Sequence, residues 1–329
     1  MEELRLDFHG VGGAVACDDP LVSENLRRDF AFFLAKSCDP SFRVTLRLDA
    51  VPRELVPRRR ASLCGAHYVA YDNGPVRAVD YHGRALAIMD FRSESAEVFS
   101  EDGALLHELG YLLICSRAGF LLDRRGLHRV HALGVAREGK GALVLLPSGG
   151  GKTALGLDLL RSGQVQLLSE DTPLLGPGGS LLPFPLRLGL SPNEDLSAIP
   201  EKFRRVMHRR EFGTKILVDL AWFQHALSGP VPAGLVVVGR RSGAAEPAIR
   251  RLWRPAALPA LFSSLVVGWG VPQLTEFMLR RDLPGLAGLA GLALGRASAA
   301  AGLLARAPVV ELTLGTDRRA NAAALLGLL

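Results

Sequence analysis

Residues 142–171 read ALVLLPSGGGKTALGLDLLRSGQVQLLSED, and this stretch decides the fold. The apolar run at 142–146 is typical of a buried strand, and a glycine-rich turn separates it from a helical pattern at 154–160. A second apolar run, at 165–168, ends in Ser-Glu-Asp. Strand, loop, helix and strand in this order predict one βαβ unit, and therefore an α/β domain around it.

The turn before the helix carries the pattern of a phosphate-binding loop. Consecutive glycines let backbone N–H groups point inward around an anion, and a helix N-terminus adds the positive end of its dipole. Lys152 can then reach the β- and γ-phosphates of a nucleotide, and the Thr153 hydroxyl can bind Mg²⁺. Leu146 replaces the first glycine of the usual G-x-x-x-x-G-K-[ST] pattern, and a glycine-rich turn that merely contains Lys-Thr is the alternative. The expected phosphate-binding residues are Ser148, Gly149, Gly150, Gly151, Lys152 and Thr153.

Two carboxylates, Glu170 and Asp171, end the second apolar run. A nucleotide-bound Mg²⁺ needs an acidic partner, which commonly stands at the end of a neighbouring strand. The spacing after Lys152 suits that arrangement. The alternative is a turn acid, because Asp is common in turns and Thr172-Pro173 follows here.

Outside this stretch, the chain changes character near residue 125. We predict a smaller α+β domain at 1–125, for substrate recognition or assembly, and a nucleotide-binding catalytic domain at 126–329. The first domain is expected to have strands at 42–48, 67–71, 76–81 and 85–90, and helices at 21–35 and 101–122. The second is expected to add strands at 235–238 and 309–314, and helices at 259–267, 271–280, 284–305 and 317–328.

Composition narrows the class of protein. Hydrophobic residues make up 48% and charged residues 22% of the 329, a globular balance that excludes disorder. The net charge of +6 comes from basic stretches at 51–61 and 201–215, so no specific nucleic-acid partner is expected. The four cysteines form no C-x-x-C pair, and no apolar signal follows the N-terminus. We expect a cytoplasmic protein without a membrane partner, with the apolar tract 283–295 in a buried helix, since a membrane span needs ~20 residues.

Residues 127–190 resemble the HPr kinase/phosphorylase family, and more closely the wider group of HPr-kinase-related serine kinases. The resemblance is carried by LHRVHALGV at 127–135, PSGGGKT at 147–153, LLRSGQVQLLSED at 159–171 and SLLPFPLRLGL at 180–190. It implies an HPr-kinase-like P-loop domain with a mixed β-sheet flanked by helices. Residues 1–125 do not resemble the N-terminal domain of the true HPr kinases, which indicates a specialised relative.

The resemblance also implies a chemistry and the residues that perform it. The family transfers a phosphoryl group from ATP to a serine hydroxyl with Mg²⁺. By position, Glu170 would be the base for the hydroxyl, Asp171 would lie near Mg²⁺ with Thr153, and His131 would lie beside the γ-phosphate. Glu170 is one methylene longer than the family's Asp. Relatives of this kind tailor ribosomally made peptides, so the implied substrate is a serine-containing peptide or small protein, and a homo-oligomer is also implied.

Several other residues have both a functional and a structural interpretation. Arg187 in PFPLRL and Lys215 in FGTKILVD are candidates for contact with phosphate or substrate, or are surface cations. The run Arg204–Arg210 is either a solvated helix face or a dock for an acidic peptide. His131 is alternatively a structural histidine at a strand start, and His128 is expected to face solvent.

Two other functions remain open from the sequence alone. A non-catalytic ATP-binding module that switches a partner would keep Lys152 and Thr153 without needing Glu170 as a base. An ATP-dependent carboxykinase is disfavoured, because no second metal site lined by His and Lys is readable.

Overall fold

The computed structural model describes residues 3–209, 213–277 and 283–329. The chain forms two compact units. One consists of residues 1–122 with 272–290, and the other of residues 123–271 with 291–329. The sequence predicts one boundary near residue 125, with 272–290 in the second domain, whereas these residues belong to the first unit.

The first unit is built on one mixed sheet. Its strands are β1 (Glu3–Phe8), β2 (Val11–Cys17), β3 (Pro40–Arg47), β4 (Leu63–Cys64), β5 (Val69–Asn73), β6 (Val76–Asp80), β7 (Leu86–Asp90) and β8 (Ser95–Phe99), and its helices are α1 (Pro20–Asp29) and α2 (Gly103–Arg124), of which α2 extends two residues into the second unit. The sheet order in the described residues is β1-β2-β3-β8-β7-β6-β5-β4. Strand β3 is parallel to both of its neighbours, and the strands from β8 to β4 form the meander that the turn residues predict.

Aromatic rings and one buried ion pair hold the helices of this unit to its sheet. The Phe8 ring lies 4.5 Å from that of Phe33 and 5.8 Å from that of Phe30. His107 Nε2 on α2 lies 2.7 Å from Asp29 Oδ2 on α1, and both side chains are buried. The pair therefore links the two helices inside the core, where an unpaired charge would be costly.

The second unit contains the predicted nucleotide-binding stretch. Its strands are β9 (His128–Arg129), β10 (Leu133–Arg137), β11 (Lys140–Leu145), β12 (Gln166–Ser169), β13 (Leu174–Leu175), β14 (Ser180–Leu182), β15 (Leu188–Leu190), β16 (Arg204–Arg209), β17 (Gly213–Val218), β18 (Val231–Arg241), β19 (Ala248–Leu252) and β20 (Val309–Leu314). Its helices are α3 (Lys152–Ser162), α4 (Leu220–Phe223), α5 (Leu258–Leu261), α6 (Leu283–Arg306), which begins in the first unit, and α7 (Arg318–Leu326).

The centre of its large sheet is β11, β18 and β20, which run parallel to one another. Strand β10 is antiparallel to β11, and β12 is antiparallel to β10. The chain therefore leaves β11, passes through α3 and returns as β12 on the far side of β10. The predicted βαβ crossover is therefore present, and strand β10 lies in the sheet between its two strands, β11 and β12. Strands β15, β17 and β16 form a separate small sheet among the described residues.

Strand β11 is buried on both faces, which explains its continuous apolar sequence. Ala142 and Val144 pack on one side with α3, α7 and the small sheet. Leu143 and Leu145 pack on the other side with α5 and the end of α6. The glycine-rich loop thus begins at the end of a central strand that is held between two layers.

Two local predictions are wrong in this unit and in the segment that follows it. The run Arg204–Arg209 is strand β16, antiparallel to β17, and not a helix face; Arg210 lies outside the described residues. Arg204 and Arg205 are used internally, since Arg204 Nε donates to the Ile199 carbonyl and Arg205 Nε to Asp219 Oδ1. The predicted helix at 271–280 is a short 3₁₀ turn at 275–277, with 278–280 outside the described residues.

Two helices have the length and apolar composition of a membrane span, a test that core helices of soluble proteins also pass. In Gly103–Arg124 most of the apolar window is buried, as in a core helix. In Gly285–Arg306 only 22% of it is buried. The prediction that the tract 283–295 forms a buried helix is therefore wrong, since the outer face of α6 is exposed.

Candidate functional site

The glycine-rich loop runs from the end of β11 to the first residue of α3. Gly149 has φ 73° and Gly151 φ 97°, backbone conformations that side chains disfavour. Gly150 N donates to the Pro147 carbonyl at 2.8 Å, and a Cβ at Gly150 would lie 2.8 Å from that same oxygen. Three consecutive glycines are therefore required by this turn, which ends at the N-terminus of α3, as the sequence predicts.

The Lys152 ammonium is the centre of a polar cluster. It donates to the Leu146 carbonyl at 3.2 Å, lies 2.9 Å from His131 Nε2 and lies 3.8 Å from Asp171 Oδ1. The side chain is almost fully buried, so its charge is held in place by these partners. Such a fixed ammonium at the start of a helix is suited to binding an anion.

His131 and Asp171 meet because their two loops run side by side. Strand β12 pairs with β10 through Ser169 and Gly134, and the Ala132 N–H donates to the Asp171 carbonyl at 3.1 Å. Asp171 Oδ1 then lies 3.1 Å from His131 Nε2. That ring nitrogen accepts from Lys152 when it carries no proton, and donates to Asp171 when it carries one. The cluster therefore has two hydrogen-bonding states that differ by the position of one proton.

Glu170 points to the other side of the loop. The Thr153 hydroxyl donates to Glu170 Oε1 at 2.5 Å. Burial, followed by the neighbouring charge of Asp171, raises the pKa of Glu170 to about 7, although the Thr153 hydrogen bond and the charges of Lys152 and Lys215 act to lower it. A carboxyl group with a pKa near neutrality can both accept and release a proton under physiological conditions.

The structure places the remaining predicted residues at different distances from this centre. Ser148 is exposed at the tip of the loop. Lys215 on β17 donates to the Gly189 carbonyl at 3.3 Å and is close enough to Glu170 for its charge to affect the pKa. Arg187 lies just before β15, where Nη2 is 3.6 Å from Met207 Sδ. His128, expected to face solvent, is instead buried, with Nδ1 2.7 Å from Asp123 Oδ1.

A cavity of about 240 Å³ opens on the outer side of the glycine loop. It lies between the loop, the first turns of α3 and the connection from β20 to α7. Asn321 fixes that connection, because its side chain both accepts from the Gly315 N–H and donates to the Gly315 carbonyl. The lining residues are Gly150, Gly151, Ala154, Leu155, Asp158, Arg241, Leu314, Gly315, Thr316, Arg318 and Asn321.

The residues present fit a magnesium-bound nucleotide. The Thr153 hydroxyl donates its hydrogen bond to Glu170, which leaves the lone pairs of its oxygen available to a cation. In the described part of the chain, no group of three or more His, Cys, Asp and Glu side chains forms a metal cage. A nucleotide-bound Mg²⁺ needs none, since waters and phosphates supply most of its ligands. Thr153 and Asp171 are the residues that would hold it.

Sequence reasoning missed one part of the site, the turn at residues 268–271. Gly270 covers the His131 ring so closely that a Cβ there would lie 2.3 Å from His131 Cε1. The His131 N–H also donates to the Ser264 carbonyl at 2.9 Å. The available signal was Gly268-Trp269-Gly270, in which two glycines flank an exposed aromatic residue.

Comparisons with known proteins identify no family for this chain. No protein-family model matches the chain, and no curated protein matches it. Among solved structures, the HPr(Ser) kinase/phosphatase from Coxiella burnetii is similar over 61% of this chain and 93% of that chain, with 12% sequence identity. The TM-score of 0.28 is too low for this likeness to bear on the function of the chain.

Proposed function

We propose that this chain is an ATP- and Mg²⁺-dependent kinase that phosphorylates a serine hydroxyl of a peptide or small protein. The observation that carries the proposal is the cluster at the glycine loop. There Lys152 contacts His131 and lies 3.8 Å from Asp171, while Thr153 contacts Glu170, all at the start of one helix. Phosphoryl transfer depends mainly on positioning and charge neutralisation, and this cluster supplies both.

The proposed reaction uses the serine hydroxyl as nucleophile. Its oxygen bonds to the γ-phosphorus of ATP, the bond from that phosphorus to the β–γ bridging oxygen breaks, and ADP leaves. The hydroxyl proton goes to a carboxylate of the site. Lys152 and the N–H groups of the loop bind the phosphate oxygens, and Mg²⁺, when bound, neutralises their charge.

Two assignments of the carboxylates follow from the contacts. In the first, Glu170 takes the hydroxyl proton, which its pKa of about 7 favours, and Asp171 serves the cation. In the second, the Thr153–Glu170 hydrogen bond orients the Thr153 oxygen toward the cation, and Asp171 takes the proton. We propose the first and use the pH dependence of the Glu170→Gln and Asp171→Asn variants to separate them.

The nucleoside of ATP is proposed to occupy the cavity beside the loop. The cavity is lined at one end by Gly150 and Gly151, which bind phosphate in the same proposal, and its volume is about 240 Å³. The β20–α7 connection, fixed by Asn321, forms its outer wall.

The direct test is phosphate transfer read by intact mass. Purified protein and Lys152→Ala are incubated with MgATP and a set of serine-containing peptides. We expect a gain of about 80 mass units, one phosphoryl group, on at least one peptide with the wild type and none with Lys152→Ala. Tight binding of MgATP without transfer to any peptide would contradict the proposal and favour a nucleotide-dependent switch.

A further inference from the structure

The segment at 255–271 is apolar and free of charged residues, and one face of it is exposed while the other is packed in the core. It forms α5 and then a π-helical segment at Phe262–Val267, and π-helices occur frequently at functional sites. Its exposed large side chains are Leu258, Phe262, Val267 and Trp269, here called the apolar stripe. Trp269 is 71% exposed and Phe262 59%. Contact of such large apolar side chains with water is unfavourable, and a contiguous exposed apolar patch commonly marks a binding site.

The members of the apolar stripe share one side of the helix. Leu258 and Phe262 are four residues apart, which places them on the same face of an α-helix. Val267 follows five residues later, within the segment where the repeat widens to that of a π-helix. The N–H groups of Gly268 and Trp269 both donate to the Ser263 carbonyl, at 3.0 and 3.1 Å, so the turn that carries Trp269 is fixed to the helix.

The segment that carries the apolar stripe contacts the candidate active site through Ser264 and Gly270. The carbonyl of Ser264, within the π-helical segment, accepts the backbone N–H of His131. Gly270, next to Trp269, covers the His131 ring, and His131 is 2.9 Å from the Lys152 ammonium. A molecule bound along the stripe would therefore lie on the segment that contacts the histidine beside Lys152.

We propose that the apolar stripe binds the phosphate acceptor, and that the acceptor carries uncharged, apolar side chains beside its serine. This inference rests on the proposed kinase function and adds the class of substrate. A second copy of the chain or a lipid surface would also bury apolar residues, but neither explains why the segment that carries the stripe contacts the histidine of the site. With no charge at 255–271, an acidic or basic acceptor would gain no ion pair there.

The test uses matched nonapeptides with one serine between two pairs of identical residues, either Leu, Asp, Lys or Gly, and terminal glycines. Transfer from MgATP is measured for the wild type, Trp269→Ala, Phe262→Ser and Trp253→Ala. Trp253 is the matched control, because it is 79% exposed and lies before α5, outside the stripe. Binding of MgADP checks that each variant is folded.

We expect the Leu peptide to have a kcat/KM at least about tenfold above those of the Asp and Lys peptides. Trp269→Ala and Phe262→Ser should raise the KM for the Leu peptide by about tenfold, mainly without lowering kcat, since they remove binding and not chemistry. The Gly peptide, which has no side chain to bind, should respond to neither substitution, and Trp253→Ala should change nothing.

Three results would overturn the inference while leaving the kinase function intact. They are a preference for Asp or Lys, an equal effect of Trp253→Ala and Trp269→Ala, or loss of self-association or liposome binding in Trp269→Ala with an unchanged KM. Absence of transfer to every peptide, with MgATP bound, would instead overturn the kinase function together with the inference.

Discussion

The Lys152 side chain lies in a space that fits an ammonium and little else. Its nitrogen is held within 3.2 Å of a carbonyl oxygen and 2.9 Å of a histidine nitrogen, and it is almost fully buried. A planar guanidinium is larger and cannot take the same position. We therefore expect that only lysine can place a positive charge at this position.

Replacing Lys152 should abolish transfer, even when charge is preserved. We expect both Lys152→Ala and Lys152→Arg to lower kcat/KM by at least about 100-fold, the usual cost of losing one stabilising group in a transition state. Steady-state kinetics with the Leu nonapeptide would measure this. Lys140→Ala, at an exposed position, is the control. Near-normal activity of Lys152→Arg would show that a guanidinium can take the position of the ammonium.

The raised pKa of Glu170 predicts how activity depends on pH. If Glu170 takes the hydroxyl proton, kcat/KM should rise as pH passes through about 7, because only the ionised carboxylate accepts a proton. Glu170→Gln should be nearly inactive and lack this limb, whereas Asp171→Asn should retain it with a weaker dependence on Mg²⁺. The reverse outcome would assign the base to Asp171.

The same carboxyl group also predicts how stability depends on pH. The folded pKa of about 7 exceeds the ordinary value of 4.5, so the folded state holds the proton more tightly than the unfolded state. This contribution to stability is fully present below pH 4.5 and is lost as pH rises through 7. We expect nucleotide-free Glu170→Gln to gain at least about 2 °C in Tm over the wild type at pH 8 but not at pH 4.5. Glu138→Gln, at a well-exposed carboxylate, should show no such difference.

Most residues of the candidate site could be predicted from the sequence, because they lie within one short motif. The loop glycines, Lys152 and Thr153 follow directly from the local pattern, and Glu170 and Asp171 end the next strand. Which carboxylate faces which partner could not be predicted, because adjacent residues at a strand end point in different directions. The contact of Thr153 with Glu170, and of His131 with Asp171, needed the fold.

At the scale of the element, the turn at 268–271 fixes a ring of the site through backbone contact. Gly270 has φ 90° and lies against the His131 ring, so a side chain there would push the ring away from Lys152. Gly268 in the same turn also has a positive φ, of 73°, but a Cβ there would meet Arg296 Nη1 at 3.3 Å. A side chain at either position would therefore strain the backbone, but it would meet Arg296 at one position and His131 at the other.

This contrast gives a matched pair of variants. Gly270→Ala should lower kcat for the Leu nonapeptide by at least about tenfold, because it displaces a group beside the phosphate. Gly268→Ala should also reduce Tm, since both substitutions strain the backbone, but should leave kcat within about threefold. Equal losses of kcat would mean that the effect comes from the turn as a whole and not from His131.

The first turn of α3 allows the nucleoside cavity to be tested separately. Ala154 lines the cavity, and Ala154→Leu would fill part of its 240 Å³. We expect the Kd for MgATP to rise by about tenfold, from steric exclusion of the nucleoside, while Ala154→Ser leaves it nearly unchanged. Isothermal titration would measure both. An unaltered Kd in Ala154→Leu would place the nucleoside elsewhere.

The helices and strands with strong apolar patterns were predicted best. The prediction was worst where pairing with another strand determines the secondary structure. Strands β11 and β20 and helix α3 have strong apolar patterns, and they form as expected. The basic run at Arg204–Arg209 looks like a charged helix, yet it pairs with β17 because Val206 and Ile216 and their neighbours form a hairpin. Local charge therefore misled the prediction where a partner strand determined the structure.

At the scale of the molecule, the first unit depends on a segment far along the chain. The Tyr81 hydroxyl donates to Glu276 Oε1 at 2.6 Å, and Arg77 Nη1 donates to the Glu276 carbonyl. All three residues are buried in the first unit, and burial raises the pKa of Tyr81 well above its ordinary value. The Leu274 N–H is satisfied similarly, by Ser116 Oγ at 2.6 Å.

Removing the Glu276 carboxylate should therefore destabilise the first unit. Glu276→Ala leaves the Tyr81 hydroxyl buried without its acceptor, at a cost of about 1–3 kcal/mol in the free energy of unfolding. Glu276→Gln keeps an acceptor and should lose less. Urea unfolding of the full chain would compare them. If Glu276→Ala were as stable as the wild type, the segment at 272–277 would not be integral to that unit.

The passage of the chain through the two units also sets the order of events during synthesis. The sheet of the first unit is complete in sequence at Phe99, yet the residue that accepts from Arg77 Nη1 and from the Tyr81 hydroxyl is translated only after most of the second unit. Until then the growing chain lacks the acceptor for two donors that the finished unit buries. Nascent chains stalled before residue 272 should consequently be more sensitive to protease in residues 1–122 than chains stalled after 290. A unit whose sheet is translated before the second unit is thus completed after most of it.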